Sequence, residues 1–74
     1  MKLRNRIKEL RFKQHQMSQQ ALAEAVGVTR MTIYSIEKEK FVPSTLLAFK
    51  IAKAFNCSVE EVFWLEANEE GVTK

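Results

Sequence analysis

The sequence of 74 residues contains only one cysteine, one histidine, one proline and two glycines. A lone cysteine excludes an intramolecular disulfide, which is typical of the reducing cytoplasm, and we expect a cytoplasmic protein. The single histidine, His15, has no partner at metal-ligand spacing, so neither a metal site nor a cofactor is expected. No apolar run approaches the roughly 20 residues of a membrane span, and the N-terminus lacks the apolar core of a signal peptide.

The parts of an active site are also missing from the sequence. There is no glycine-rich phosphate loop and no cluster of His, Cys and Asp residues. Cys57 has no suitable base nearby in the sequence, and a small apolar residue beside a helix cap needs no further role. We therefore predict that the protein is not an enzyme, and that a chain this short has little room for a small-molecule ligand.

The hydrophobic content of 46% and the length of 74 residues predict one folded domain. A chain of this size buries only about 60% of its unfolded surface, so the core must be compact. The net charge of +3 is unevenly distributed. Residues 1–40 hold nine Lys or Arg against four Glu, whereas residues 41–74 hold three against five. The basic half is typical of a domain that meets a polyanion, although composition alone fits an ordinary solvated basic face equally well.

Residues 18–38 predict two short helices joined by a tight turn. Ser18 and Thr29 are hydroxyl N-caps, and Gly27 stands where the chain needs the left-handed conformation in order to turn sharply. The positions that face inward at helical spacing are Leu22, Ala23, Val26, Ile33 and Ile36. A helix, a glycine turn and a second helix within about twenty residues make the helix-turn-helix motif.

Three further helices and no strands are predicted around this motif. The first covers residues 3–13, with Leu3, Ile7 and Leu10 on its buried side. Another covers residues 45–55 with Leu46 on its outer side, after a segment whose Phe41 and Val42 are expected in the core. The last covers residues 58–65. It begins with a capping box of Ser58 and Glu61 and turns Val59, Val62 and Phe63 inward.

The sequence resembles the Cro/lambda-repressor type of helix-turn-helix domain, also called the xenobiotic-response-element family. The matching residues in the motif are Ser18-Gln19, Leu22-Ala23, Gly27-Val28, Thr29-Arg30, Ile33 and Ile36-Glu37; outside it they are Arg6-Ile7, Leu10-Arg11, Pro43-Ser44, Ile51-Ala52 and Phe55. The family often has glycine at the positions of Gln16 and Glu39, so both turns depart from its pattern. The resemblance implies an all-α bundle of five short helices that binds duplex DNA, most simply as a repressor of transcription.

The resemblance also implies roles for individual residues. Residues at the positions of Arg30, Met31 and Ser35 touch base edges in the family, and we extend this base-contacting role to Thr32. Gln19 matches a glutamine that bridges the DNA backbone, and Arg11 matches an arginine that pairs with the glutamate at the position of Glu37. From charge and position we add Tyr34, Lys38, Lys40 and Lys13 as contacts to the DNA backbone.

Trp64 and Leu65 have no inward position left on the fifth helix, and Leu46 lies on the outer side of the fourth. We therefore predict a homodimer that buries these three residues. The domain is expected to cover residues 1–66, with residues 58–65 as a dimerisation helix and residues 67–74 as a polar, flexible tail. The main alternative is a protein-interaction module, either an antitoxin or a coactivator-type helix-turn-helix domain. A peptide lying on a membrane surface is disfavoured by the two-sided core.

Overall fold

A computed structural model describes residues 1–67 of the chain. It contains five helices and a sheet of two antiparallel strands. In chain order these elements are β1 (Lys2–Asn5), α1 (Ile7–Lys13), α2 (Gln19–Val26), α3 (Arg30–Glu37), α4 (Thr45–Ala54), α5 (Val59–Val62) and β2 (Phe63–Glu66). Of the expected tail, all but Ala67 lies outside the described residues.

The helices enclose one hydrophobic core. Helix α2 packs against both α3 and α4, and α5 closes the far side of α4. The largest side chains that are fully buried are Ile7, Leu22, Ile33, Ile36, Ile51 and Val62. Ala23 is also completely buried, and its small side chain lets α2 and α3 approach each other closely.

The five predicted helices are present, but the sheet of two short strands corrects the prediction of an entirely α-helical fold. Strand β1 pairs with β2 so that Leu3 lies opposite Leu65 and Arg4 lies opposite Trp64. The two strands come from the two ends of the described chain, and each continues directly into or out of a helix. The prediction of a first helix over residues 3–13 is therefore wrong at its beginning, because Leu3 belongs to β1 and α1 starts at Ile7.

The predicted helix over residues 58–65 is shorter than expected for the same reason. Helix α5 ends at Val62, and the backbone becomes extended at Phe63, with ψ 146°. The backbone groups of Phe63–Glu66 then bond to β1 and no longer need a helical partner. Phe63 is nevertheless buried, as the sequence predicted, whereas Trp64 and Leu65 lie on a strand and so point to opposite faces of the sheet.

Helix caps agree closely with the sequence. The hydroxyl groups of Ser18, Thr29, Ser44 and Ser58 each accept a hydrogen bond from the backbone N–H three residues later. Ser58 and Glu61 complete the predicted capping box, since the Glu61 carboxylate accepts from the Ser58 backbone N–H at 2.8 Å. These bonds satisfy N–H groups that a helix leaves without partners in its first turn.

Two non-glycine residues replace the usual glycines of the turns, and both adopt the left-handed conformation. Gln16 has φ +57°, and Glu39, which follows the cap of α3, has φ +64°. At Glu39 the chain forms a Schellman turn, in which the Lys40 backbone N–H donates to the Ser35 carbonyl at 2.9 Å. Helix α3 thus ends without a glycine, at a cost in backbone strain of about 1–2 kcal/mol.

Phe41 and Val42 do not enter the core, which corrects another prediction. They are 48% and 67% exposed, while the following Pro43 is buried. They line a groove with Leu3, whose cross-strand partner is Leu65. We call Leu3, Phe41, Val42 and Leu65 the apolar patch. Among the described residues, no helix is long and apolar enough to cross a membrane.

Candidate nucleic-acid interface

Helix α3 is amphipathic, with one side in the core and the other in solvent. Ile33 and Ile36 are buried, whereas Arg30, Met31 and Tyr34 are exposed. The helix is held at its N-terminus by the Thr29 cap and joined to α2 through Gly27, which has φ +81°. A sharp left-handed turn of this kind fixes the angle between the two helices and leaves the outer side of α3 accessible.

A wide groove runs along one side of α3. Its wall on the α3 side is formed by Arg30, Tyr34 and Lys38, which follow one another at four-residue spacing and therefore lie in one row. Lys13 and Gln19 also line it, so the groove brings together five residues for which the sequence predicted DNA contacts. Met31 and Ser35 form the neighbouring row on α3, outside the groove.

An ion pair ties α1 to the C-terminal end of α3. The Arg11 guanidinium donates two hydrogen bonds to the Glu37 carboxylate, from Nε to Oε2 at 2.7 Å and from Nη2 to Oε1 at 3.2 Å. Arg11 also donates to the Met17 carbonyl at 2.8 Å and is only 8% exposed. A planar guanidinium held at three points fixes both helices, so this pair serves the structure of the groove.

Gln19 connects this ion pair to the surface. Its side-chain amide donates to Glu37 Oε1 at 3.0 Å, and its oxygen accepts a longer hydrogen bond from Arg30 Nη1 at 3.4 Å. Because Gln19 is the first residue of α2, it stands among backbone N–H groups that have no helical partner. One of its two amide hydrogens remains available for a phosphate oxygen.

The other residues predicted to contact DNA differ in their local contacts. The Lys13 ammonium lies 3.5 Å from the Glu9 carboxylate, and the Lys38 ammonium lies 5.8 Å from the centre of the Tyr34 ring. The Thr32 hydroxyl is 3.0 Å from the Thr29 hydroxyl, so it is already engaged at the helix cap. Lys40 is exposed just beyond α3 but does not line the groove.

The structure adds residues that the sequence analysis did not identify as groove residues. Arg4, Arg6, Lys8 and Trp64 form the side of the groove that faces α3. Arg6 lies over the Trp64 ring, with 4.7 Å between the guanidinium carbon and the ring centre. Lys2 and Arg4 of β1 alternate with other residues at the period of a strand, but four residues are too few to distinguish this spacing from that of the adjoining helix.

A second set of ionic contacts fastens the sheet to the end of α3. The Glu39 carboxylate accepts a hydrogen bond from Arg4 Nε at 2.8 Å and lies 3.3 Å from the Lys2 ammonium. Arg4 also pairs with Glu66 of β2. Partial burial acts to raise the pKa of Glu39, but hydrogen bonds from Arg4 and Lys2 outweigh it and hold that pKa below its ordinary value. The hydrogen bonds that Arg4 donates to Glu39, which has the larger effect, and to Glu66 raise the pKa of Arg4.

The three residues predicted for a dimer interface are not grouped as expected. Trp64 is on the groove side of the sheet with Arg4, whereas Leu65 is on the other side with Leu3. Leu46 is 66% exposed in the first turn of α4. The grouping of Trp64 with Leu65 assumed that both lie on a helix, and the strand separates them.

The fold and the groove together define a helix-turn-helix domain. The sequence model of the helix-turn-helix family matches residues 7–62. Over 64 residues the chain is 55% identical to the HTH-type transcriptional regulator YgzD of Bacillus subtilis, covering 86% of this chain and 96% of YgzD. An HTH-type transcriptional regulator of Archaeoglobus fulgidus is 48% identical over 67 residues, covering 90% of this chain and 93% of its own. One from Methanocaldococcus jannaschii is 45% identical, covering 90% of this chain and all of its own.

The chain belongs to the Cro/C1-type helix-turn-helix family of DNA-binding transcription regulators. The matched region begins at the first residue of α1 and ends at the last residue of α5. Both strands of the sheet therefore lie outside the part that the family model describes. Arg4 and Asn5 of β1 and Trp64 of β2 nevertheless line the groove.

Proposed function

We propose that this protein binds specific sites on duplex DNA and regulates transcription, most simply as a repressor that covers a promoter. The observation that carries the proposal is the outer side of α3, where Met31 and Ser35 lie beside a row that holds the cations Arg30 and Lys38. An exposed helix of this diameter fits the major groove of B-DNA. We place its action in the cytoplasm, where a bacterial or archaeal regulator meets DNA.

In this arrangement α3 enters the major groove. The Arg30 guanidinium donates two hydrogen bonds to N7 and O6 of a guanine, and Met31 contacts a thymine methyl group. Ser35 pairs with a base edge, and Thr32 does so only if its hydroxyl leaves Thr29. Gln19, Tyr34, Lys13, Lys38 and Lys40 bind phosphate oxygens, which fixes the position of the domain without distinguishing sequences.

We propose further that two copies bind together as a homodimer. One small domain meets about one half-site, and two-fold dimers place their recognition helices about 34–36 Å apart, one turn of DNA. The apolar patch offers the surface for the second copy, because Leu65 is 63% exposed and Phe41 and Val42 adjoin the same side of the sheet. This surface faces away from the groove, so a second copy there leaves α3 free.

Selection of bound fragments from a random duplex library tests the proposal. A sequence-specific dimer enriches a short motif with two-fold symmetry, and Arg30→Ala relaxes the preference at one position in each half. Recovery of all sequences in equal amounts contradicts sequence-specific binding.

A protein-interaction module is the second candidate, and the exposed apolar patch is the observation that favours it. An antitoxin or a coactivator-type domain would use that patch to bind another protein and would have little preference among DNA sequences. Equal recovery of all sequences in the selection is therefore the result expected of this candidate.

A further inference from the structure

Arg6 and Trp64 form a cation–π pair that lines the groove. The guanidinium carbon of Arg6 is 4.7 Å from the centre of the Trp64 ring, and Trp64 remains 38% exposed. Arg6 is at the N-terminal cap position of α1, where its backbone N–H donates to the Val62 carbonyl at 3.0 Å. The pair is therefore anchored by the main chain at the junction of the sheet and two helices.

The cations on this side differ in whether a carboxylate already neutralises them. Arg4 is paired with both Glu39 and Glu66. Within residues 1–67, by contrast, no carboxylate oxygen lies within 4.0 Å of Arg6 or Lys8. Arg6 and Lys8 thus bring positive charge to the groove from the side facing Arg30 and Lys38. The groove has uncompensated cations on both sides, which favours a polyanion between them.

The contact with Trp64 leaves the N–H groups of Arg6 available as hydrogen-bond donors. A guanidinium that lies on an aromatic ring uses the face of its plane, and its N–H groups still point outward along the edges. Two N–H groups along one edge can donate to two oxygens of a phosphate. Contact with the ring limits the motion of the Arg6 side chain before binding, which lowers the entropy cost of binding. Trp64 thus packs against an arginine that has no carboxylate partner in the described chain.

We infer that Arg6, held by Trp64 and assisted by Lys8, binds the phosphate backbone of the duplex beside the segment that α3 contacts. The inference rests on the proposed function and extends the interface from the helix-turn-helix motif to the beginning of α1, where it adjoins the sheet. The duplex is favoured over a free anion because the groove is open and continuous with the row of Arg30, Tyr34 and Lys38. In this role Arg6 and Lys8 position the protein and do not read bases.

The fluorescence of Trp64 provides the first test, because Trp64 is the only tryptophan of the chain. The full chain is titrated at constant concentration with a mixed-sequence duplex of about 30 base pairs, which is long enough for two half-sites. We expect a change in Trp64 emission and reduced quenching by acrylamide when DNA binds. Inorganic phosphate at the same phosphate concentration should cause neither effect. Equal quenching of the free and DNA-bound protein would overturn the inference, as would the same protection by inorganic phosphate.

Variants provide the second test, with affinity for the same duplex measured over a range of salt concentrations. Arg6→Gln should weaken binding about three- to tenfold for every sequence, as expected for the loss of one hydrogen-bonded contact that stays exposed to solvent. It should also reduce the slope of log affinity against log salt by about one. Trp64→Leu keeps the charge of Arg6 but removes its platform, so it should cause a smaller loss and leave the slope nearly unchanged.

Lys53→Gln is the matched control, since Lys53 is an exposed cation on α4 that does not line the groove. Circular dichroism verifies that each variant is folded. If Arg6→Gln behaves like Lys53→Gln while Arg30→Ala still relaxes the preference at one position of the selected motif, the inference fails and the proposed function stands. If neither Arg30→Ala nor Arg6→Gln changes binding and selection enriches no sequence, the proposed function fails as well.

Discussion

Arg11 and Glu37 meet through two hydrogen bonds, one from Arg11 Nε at 2.7 Å and one from Arg11 Nη2 at 3.2 Å. Both side chains are about nine-tenths buried, with 10% and 8% of their surfaces exposed. The pair joins the end of the first helix to the end of the helix proposed to read DNA. Their contact therefore sets how α3 stands relative to the rest of the groove.

The two residues should be coupled energetically. Arg11→Met or Glu37→Met leaves the other charge buried without its partner, so each should lower the free energy of unfolding by about 2–4 kcal/mol. The double substitution should cost less than the sum, with an interaction energy of about 1–3 kcal/mol in urea unfolding. The exposed pair Glu9 and Lys13 is the control, and its coupling should stay below about 0.5 kcal/mol. Equal coupling in both pairs would contradict the prediction.

Substitution at a position with left-handed backbone conformation should lower stability where it replaces glycine and raise stability where it introduces glycine. A Cβ at Gly27 would meet no atom within 4 Å, so Gly27→Val is penalised by its φ of +81° and not by a clash. We expect a loss of about 1–3 kcal/mol of unfolding free energy, and a smaller loss for Gly27→Asn. Gln16→Gly should do the reverse and stabilise the domain by up to about 1 kcal/mol. Thermal unfolding of the three variants measures both the expected losses and the expected gain of stability. An unchanged midpoint for Gly27→Val would refute the conformational argument.

Residues of α3 should divide into two classes when DNA binding is measured. Arg30→Ala should cost about 1–3 kcal/mol at one base pair and relax the preference there. Lys38→Ala, or Lys40→Ala, should weaken binding to all sequences alike and reduce the salt dependence by roughly one phosphate contact. Competition between operator and mixed-sequence duplexes separates the two effects. Uniform weakening by Arg30→Ala would show that Arg30 binds phosphate.

Acid should loosen the attachment of the sheet to α3. The pKa of Glu39 is lower in the folded protein than in the unfolded chain, so its contribution to stability is present above the unfolded pKa. That contribution is lost as the pH falls through the lower, folded pKa. Glu39→Gln should therefore destabilise the protein at neutral pH, and the difference from the natural sequence should disappear in acid. A difference that is independent of pH would mean that the Glu39 charge contributes nothing.

Dimerisation should depend on Leu65 and not on Trp64. Leu65→Glu puts a charge into the apolar patch and should shift sedimentation equilibrium towards the monomer, and Leu46→Glu tests the flank of that surface. Trp64→Glu lies on the other side of the sheet and should leave the dimer intact while it weakens DNA binding. A monomeric natural protein at all concentrations, or an intact dimer in Leu65→Glu, would end the dimer proposal.

The motif and the helix caps could be predicted because their signals are local. Ser18, Thr29, Ser44 and Ser58 each stand immediately before an apolar pattern, and Gly27 stands at the only turn that uses glycine among the described residues. A hydroxyl cap acts on an N–H group only three residues away, so its effect depends little on the rest of the fold.

The sheet could not be found in the same way. Leu3 continues the helical spacing of Ile7 and Leu10, and Phe63 continues that of Val59 and Val62, so each strand resembles one more turn of its neighbouring helix. What makes them strands is their mutual pairing between opposite ends of the described chain. The Arg6–Trp64 side of the groove was missed for the same reason, because only the sheet brings these residues together.

The pairing of Lys2 with Glu66 also has a consequence for the order of folding. These contacts close a loop of nearly the whole described chain, and the entropy of loop closure grows with the length of the loop. Contacts between α2 and α3, in contrast, join segments that are adjacent in sequence. Long-range strand pairs generally form late, when helices have already brought the ends together. We therefore expect the sheet to assemble last and to open first, so that amide hydrogen exchange is faster in β1 and β2 than in α2.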